Sequence, residues 1–261
     1  MIRDKSSPLV SIVIPCFRGE KYLSEAIDSC CRQTYENIEI IVVDDCSPDR
    51  CAAIAEEHGA NDARVKLVRR EQNGGVSAAF NSGFDVAGGS FFTRLAQDDL
   101  LKPNAIETLV NCLLENPHAG LAYADMEFVD ADGDLLHVMH TELPENALLP
   151  ANRIGLCVMW RRDVWDQVGR FDSKCDFAED YDYWLRASEV CRFVRCDCEP
   201  LLQFRYHADQ MSIKARRRHE QRTARAHLKM RWRRAGGRLS FGNLMAVARA
   251  LVRYCVLLVK R

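Results

Sequence analysis

The stretch VSIVIPCFRGEKYLSEAIDSCCRQTYENIEIIVVDDCSPD, residues 10–49, decides the fold. It opens on VSIVIP and closes on a second run of the same kind, IEIIVV at residues 38–43. Both are apolar, rich in β-branched residues and too short to be helices, so both read as buried strands. Between them Tyr22, Leu23, Ala26, Ile27, Cys30 and Cys31 recur at the spacing of one helical face. Strand, helix and strand in that order, with neither strand alternating in polarity, predict a unit of parallel sheet covered by helices.

The pattern continues outward. Ser47-Pro48-Asp49 opens a helix that closes near Gly59, and a third strand covers residues 65–69. The turn Asn73-Gly74-Gly75 leads into a helix over 76–86, followed by a fourth strand, SFFTRL, at 90–95. Three of the four strands end in polar or acidic residues: Asp44-Asp45, residues 71–75, and Asp98-Asp99. Carboxyl ends of parallel strands form the ligand crevice of such sheets, so these residues should gather around one ligand. The last of them, in RLAQDDLLKP at 94–103, sets two carboxylates side by side. Adjacent carboxylates repel unless water, donors or a cation stabilise them, and a place on a shared crevice favours the cation over a solvated turn.

Beyond Pro103 a helix runs to about Glu115 and Asn116-Pro117 closes it; residues 120–124 read as a strand. Asp130-Ala131-Asp132-Gly133-Asp134 reads as a hairpin turn, since a calcium loop would need a more distant bidentate Glu and flanking helices. A strand LCVMWR at 156–161 and a short helix lead through Val168-Gly169-Arg170-Phe171-Asp172 into AEDYDYWLR at 178–186.

A chain of 261 residues, 48% hydrophobic and 28% charged, can bury one large core. The longest apolar stretch near the N-terminus is broken by Ser11 and is too short for a signal-peptide core or a membrane span, which predicts a cytoplasmic protein. Twelve cysteines, among them Cys30, Cys31, Cys112, Cys157, Cys191 and Cys255, fall in apolar patterns and read as buried thiols. Cys196 and Cys198 lack the second pair that a structural zinc would need.

The formal charge of −1 hides a division. Residues 214–261 carry fifteen Lys and Arg against the single acid Glu220, which leaves residues 1–213 at −15. The expected organisation is one domain over 1–213 and a basic, amphipathic helical tail over 214–261. In the tail Leu244, Val247, Leu251 and Leu258 can line one side and Arg249 and Arg253 another, which suits an anionic membrane surface. A solvated tail, or one folded back on the acidic body, are the other readings. No RNA- or DNA-binding motif accompanies the basic residues, so no nucleic-acid partner is expected.

Four phrases in this order, residues 10–49, QNGGVSAAFNSGFDVAGGSFF, LAQDDLLKP and GRFDSKCDFAEDYDYWLRAS, carry a resemblance to the family 2 glycosyltransferases. These are inverting enzymes of the GT-A fold that use nucleotide-diphosphate sugars. The resemblance implies an α/β GT-A fold with a mostly parallel nucleotide-binding sheet. It implies that Pro15, Phe17, Asp44, Asp45 and Asn73 hold the nucleoside, that Asp98 approaches the ribose, and that Asp99 binds a divalent cation, Mn2+ or Mg2+, which bridges the diphosphate. His207 is implied at the cation or the diphosphate. The catalytic base is implied at Asp180, with Glu179 and then Asp182 behind it, although acids in a first helical turn are also favoured by the helix dipole alone. Trp160, Arg161 and Trp184 are expected at the acceptor, because aromatic faces stack on sugars; Trp as core is the other reading.

The expected function is transfer of a sugar, UDP-linked, to a saccharide or lipid-linked hydroxyl in cell-surface polysaccharide synthesis, with a peripheral place on the inner face of the cell membrane. Two departures stand out: Ala96 where many relatives carry a third Asp, and Phe80 where an Arg is common, its place open to Arg69, Arg70 or Arg94. A non-catalytic nucleotide-sugar-binding relative and a sugar nucleotidyltransferase are the alternatives. The nucleotidyltransferase would need a glycine-rich basic loop where residues 15–20 stand.

Overall fold

The computed structural model describes residues 7–142 and 152–210, together with Arg222, Thr223, Ala226 and Lys229. Its first half follows the sequence pattern: β1 (Val10–Cys16), α1 (Leu23–Cys31), β2 (Ile38–Asp44), α2 (Cys51–Asn61), β3 (Val65–Arg69), α3 (Val76–Val86) and β4 (Phe91–Arg94). Then come β5 (Leu100–Leu101), α4 (Ala105–Glu115), β6 (Ala119–Tyr123), the hairpin of β7 (Met126–Val129) and β8 (Leu135–Met139), β9 (Val158–Arg161) and α5 (Arg162–Val168). A 3-10 turn (Ser173–Cys175), α6 (Glu179–Ala187), β10 (Arg192–Arg195) and β11 (Leu202–Arg205) follow.

Seven strands form the main sheet in the order β10-β6-β9-β4-β1-β2-β3. All run parallel except β9, which is antiparallel to both β4 and β6. The remaining four form a small sheet in the order β5-β11-β7-β8. Alternation along the central strands divides the core between two faces. Ile12, Ile14, Ile40 and Val42 pack with α1 and α4, whereas Val13, Ile41 and Val43 pack with α3 and α6. Burial on both sides explains why β1 and β2 read as unbroken apolar runs.

On the second face α3 lies close to the sheet at Gly83, where an added Cβ would come 2.4 Å from Val13 Cγ1 and 3.0 Å from Val43 Cγ2. Gly83→Ala is therefore expected to destabilise the protein by about 1–3 kcal/mol despite alanine's better helix propensity. Urea unfolding checks this; an unchanged midpoint would mean that the helix shifts freely.

The cysteines among the described residues are free thiols. No described helix is long and apolar enough to cross a membrane. The amphipathic segment over 241–261 lies outside the described residues. Within the tail, Ala226 is fully buried in the second core cluster.

Candidate active site

The loop after β1 is held with unusual completeness. Four successive main-chain N–H groups donate to side chains of two other loops or of the helix that follows one of them: Phe17 to Gln97 Oε1 (2.9 Å), Arg18 to Ser47 Oγ (2.8 Å), Gly19 to Cys51 Sγ (3.2 Å) and Glu20 to Asp49 Oδ2 (3.0 Å). Gln97 Nε2 donates back to the Phe17 carbonyl at 3.2 Å. A Cβ at residue 19 would sit 2.1 Å from Gln97 Oε1, so a larger residue there would displace the Gln97 side chain and break its two bonds to Phe17. With its amides occupied this loop cannot cradle a phosphate; it is instead a preformed wall. Pro15 is half-buried at its start, and Phe17, 38% exposed, offers an aromatic face to solvent.

At the end of β2 the two acids part. Asp44 accepts the Ser47 N–H at 3.0 Å, and burial pushes its carboxyl above the ordinary range. Asp45 turns the other way and anchors the next loop: it accepts from Arg70 Nε (2.7 Å), Gly74 N–H (3.0 Å) and Gly75 N–H (2.9 Å), while Asn73 Nδ2 donates to its carbonyl (3.1 Å). Asp45, Asn73 and Arg70 thus hold one another. Phe80 is fully buried, and the Arg94 guanidinium stacks on its ring at 4.6 Å.

At the end of β4 the neighbouring carboxylates also diverge. Asp99 is 1% exposed and its Oδ1 accepts the Arg205 N–H at 3.0 Å, tying the β4 loop to β11. Burial, with Asp98 beside it, pushes its carboxyl well above the usual carboxylate range. Asp98 instead meets His207 Nε2 at 2.9 Å, with both side chains partly open. The expected cation ligand, Asp99, is turned into the protein, and Asp98 and His207 are the pair brought together. Among the described residues no cluster of three or more His, Cys, Asp or Glu could enclose a metal.

Arg94, the last residue of β4, is 7% exposed and reaches Glu179 Oε1, at the start of α6, at 3.4 Å. Glu179 is itself buried, and burial, then Asp180's charge, raise its carboxyl to about 7. Asp180 is partly exposed; its Oδ2 accepts from Asn152 Nδ2 at 3.0 Å and its Oδ1 from the Tyr181 N–H at 2.7 Å. Asp182 is fully buried and bonds Arg186 Nε at 2.9 Å, one turn along. A native pKa above the unfolded value means that the folded state holds more protons, so Glu179's contribution is present below its ordinary value of 4.5 and lost as pH rises through about 7. Thermal melts across that window are expected to show wild type losing stability with rising pH and Glu179→Gln doing so less steeply; parallel profiles would contradict the shift.

The acceptor expectation does not survive. Trp160 and Trp184 are fully buried, 5.3 Å apart edge to face, in an aromatic cluster with Phe84, Tyr183 and Phe92. Arg161 ends the one antiparallel strand and pairs opposite Phe91, the first residue of β4, so it stands at the amino edge of the sheet, away from the crevice. There it donates to the carbonyls of Ala119 (2.9 Å) and Leu113 (2.6 Å) and, with His118, Asp163, Gln167 and Arg192, lines a cavity of about 740 Å³. The residues that the sequence did not mark are Gln97 and Asn152; Gln97 lies inside the quoted motif RLAQDD but carried no charge pattern, and Arg94, named there as a stand-in for the arginine absent at Phe80, stacks on Phe80 and meets Glu179.

Comparisons with known proteins agree with this architecture. The first relatives are uncharacterized glycosyltransferases, one from Rickettsia bellii, 36% identical over 228 residues covering 81% of this chain and 32% of the relative. A glycosyltransferase of Rickettsia typhi is 34% identical over 221 residues, covering 80% of this chain and 68% of the relative. The chain spans about a third of the length of the first two relatives. Among solved structures, Staphylococcus aureus TarS 1–349 in complex with UDP-GlcNAc superposes with a TM-score of 0.74 at 20% identity, covering 95% of this chain and 72% of that one. The mannosyltransferase PcManGT of Pyrobaculum calidifontis, in complex with GDP-Man and Mn2+, gives 0.61 at 15% identity, covering 98% and 77%. These likenesses show a shared GT-A fold. The family model for glycosyl transferase family 2 matches residues 11–155, more than half of the chain, and with the relatives' identity this places the chain in that family.

Proposed function

We propose that the chain transfers a sugar from a nucleotide-diphosphate donor, UDP-linked, to a hydroxyl of a saccharide or lipid-linked acceptor, with inversion at the anomeric carbon. The observation that carries this is the junction of Arg94 with Glu179, which brings the acidic start of α6 to the sheet edge where β4 delivers Asp98 to His207. One edge then offers a nucleoside wall, a place for the diphosphate and a partly exposed carboxylate for the acceptor.

In this reading the nucleobase lies against Phe17, with Pro15 below it and the buried Asp44 carboxylate accepting from base or ribose. Asp98 and His207 would hold a divalent cation, and one carboxylate with one imidazole suit Mn2+ better than Mg2+. The chemistry that an ion would supply there is neutralisation of the charge gathered on the departing diphosphate. Asp180 takes the proton of the acceptor hydroxyl as the oxygen attacks the anomeric carbon, opposite the departing diphosphate. Glu179, buried against Arg94, cannot reach an acceptor and holds the helix start in place. The UDP, UDP-GlcNAc and GDP-Man carried by the structural neighbours support a nucleotide-diphosphate donor, and the first two favour uridine. The occupied amides of residues 17–20 speak against a nucleotidyltransferase. The charge of the basic tail supports a lipid-linked acceptor at the inner membrane face, in polysaccharide synthesis.

Nucleotide release from a panel of UDP- and GDP-sugars, with Mn2+ and with oligosaccharide or lipid-linked acceptors, tests this. Acceptor-dependent UDP release and an inverted product are expected. Tight UDP-sugar binding without release across the panel would instead establish a non-catalytic binding protein.

A further inference from the structure

The segment that enters α6 is strained and clamped. Phe177 has φ +77°, a backbone conformation that a bulky residue holds only where its surroundings impose it, at about 1–3 kcal/mol. From one side α3 imposes it: Asn81 exchanges two hydrogen bonds with the Phe171 main chain (2.9 and 3.0 Å), and Asp176 Oδ1 accepts the Ser77 N–H at 3.3 Å. On the other side stand residues of the basic tail. Lys229 Nζ bonds the Asp172 carboxylate, lies 3.4 Å from Cys175 Sγ and 3.6 Å from Asp182 Oδ1, and Arg222 Nη1 donates to the Lys174 carbonyl at 2.7 Å. Asp182 Oδ1 is buried without a hydrogen-bond partner, so the Lys229 ammonium is the cation that faces it. Residues 222, 226 and 229 fall on one face of a helix by their spacing, and the middle one, Ala226, is fully buried.

We propose that the beginning of the basic tail is part of the catalytic unit, and that Lys229 is a positioning residue: through Asp172 and Asp182 it fixes the strained entry to α6 and thereby the placement of Glu179 and Asp180. The boundary drawn at residue 213 from charge alone then cuts through the working domain. Without Lys229 the Asp182 carboxylate would keep Arg186 on Oδ2 but lose the cation facing its buried Oδ1, and Asp172 would lose its partner, which loosens the entry to α6. The proposal rests on Asp180 being the base, and the tests separate the two ideas.

Lys229→Met, Lys229→Arg and Asp182→Asn/Lys229→Met, all in the full chain, test it with two readouts. In transfer assays Lys229→Met is expected to lower kcat about tenfold to a hundredfold with UDP affinity by calorimetry within about twofold, the signature of a displaced base and an intact donor site. Lys229→Arg, which keeps the charge, should recover most of that loss. In melts, Asp182→Asn and Lys229→Met should each lower Tm while the double variant lowers it by less than their sum, because the two substitutions remove one shared contact. This second readout holds whether or not the chain transfers sugar, so a failed transfer assay in wild type would sink the functional reading alone. Additive Tm losses would overturn the clamp, as would unchanged kcat in Lys229→Met, or full transfer by a chain ending at residue 212. If Lys229→Met does not fold, a folded double variant supports the pairing and an unfolded one refutes it.

Discussion

Asp180→Asn is expected to lower the transfer rate about a hundred- to ten-thousandfold, the range over which loss of a general base is felt. The substitution keeps the shape of the side chain: its one oxygen can still accept the Tyr181 N–H, and the Asn152 amide can turn over to accept from the new NH2, so the start of α6 should hold its place. Only the capacity to take a proton is removed. Calorimetric affinity for UDP with Mn2+ is expected to stay within about threefold of wild type, since a fold-change below tenfold is under 1.4 kcal/mol and no donor contact is lost. Glu179→Gln should be milder in rate, because the Glu179 carboxylate meets Arg94 rather than solvent. Near-normal transfer by Asp180→Asn would move the base elsewhere, and a product that keeps the donor's anomeric configuration would exclude single displacement.

The second large effect is expected at Asp98. Asp98→Asn should reduce turnover on the order of a hundred- to thousandfold, with a much higher Mn2+ concentration needed for half-activation, because an amide oxygen is a far poorer ligand for a hard cation than a carboxylate. His207→Ala should shift the Mn2+ dependence in the same direction by less. Asp99→Asn is the contrast: its Oδ1 faces the Arg205 N–H inside the protein, so its effect should fall on Tm while the Mn2+ dependence persists. Loss of Mn2+ response in Asp99→Asn with retention in Asp98→Asn would reverse the two roles.

Much of the frame was legible because its determinants are local. The apolar runs of β1 and β2, the 3.6-residue stripe of α1 and the glycine turn before α3 each state their own conformation, and β3 and α3 fall on the expected residues. What the sequence could not show was direction and pairing. Periodicity marks β9 as a strand but is the same read up or down, so Arg161 was expected at the wrong edge. The small sheet depends on β11 pairing with β5, about a hundred residues earlier, and β5 is only two residues long. Trp160 and Trp184 illustrate a different limit: an indole that packs a core and one that stacks on a sugar look alike in sequence, and burial alone tells them apart. For Asp98 and Asp99 the ambiguity was rotational, since consecutive side chains on one loop face opposite ways and only β11 and His207 decide which faces in.

The captured amides of residues 17–20 bear on how donor preference can evolve or be engineered. A recognition wall built by one loop can be retuned by changing that loop. Here the backbone of residues 17–20 takes its shape from Ser47, Asp49 and Cys51 on one flank and from Gln97 on the other, and Gly19 leaves the room that the Gln97 side chain fills. Replacing residues within 17–20 alone would leave the old mould in place. A switch of base selectivity would have to be transplanted as a set drawn from three stretches of the chain, and random libraries confined to a single stretch should return mostly weakened versions of the parent preference.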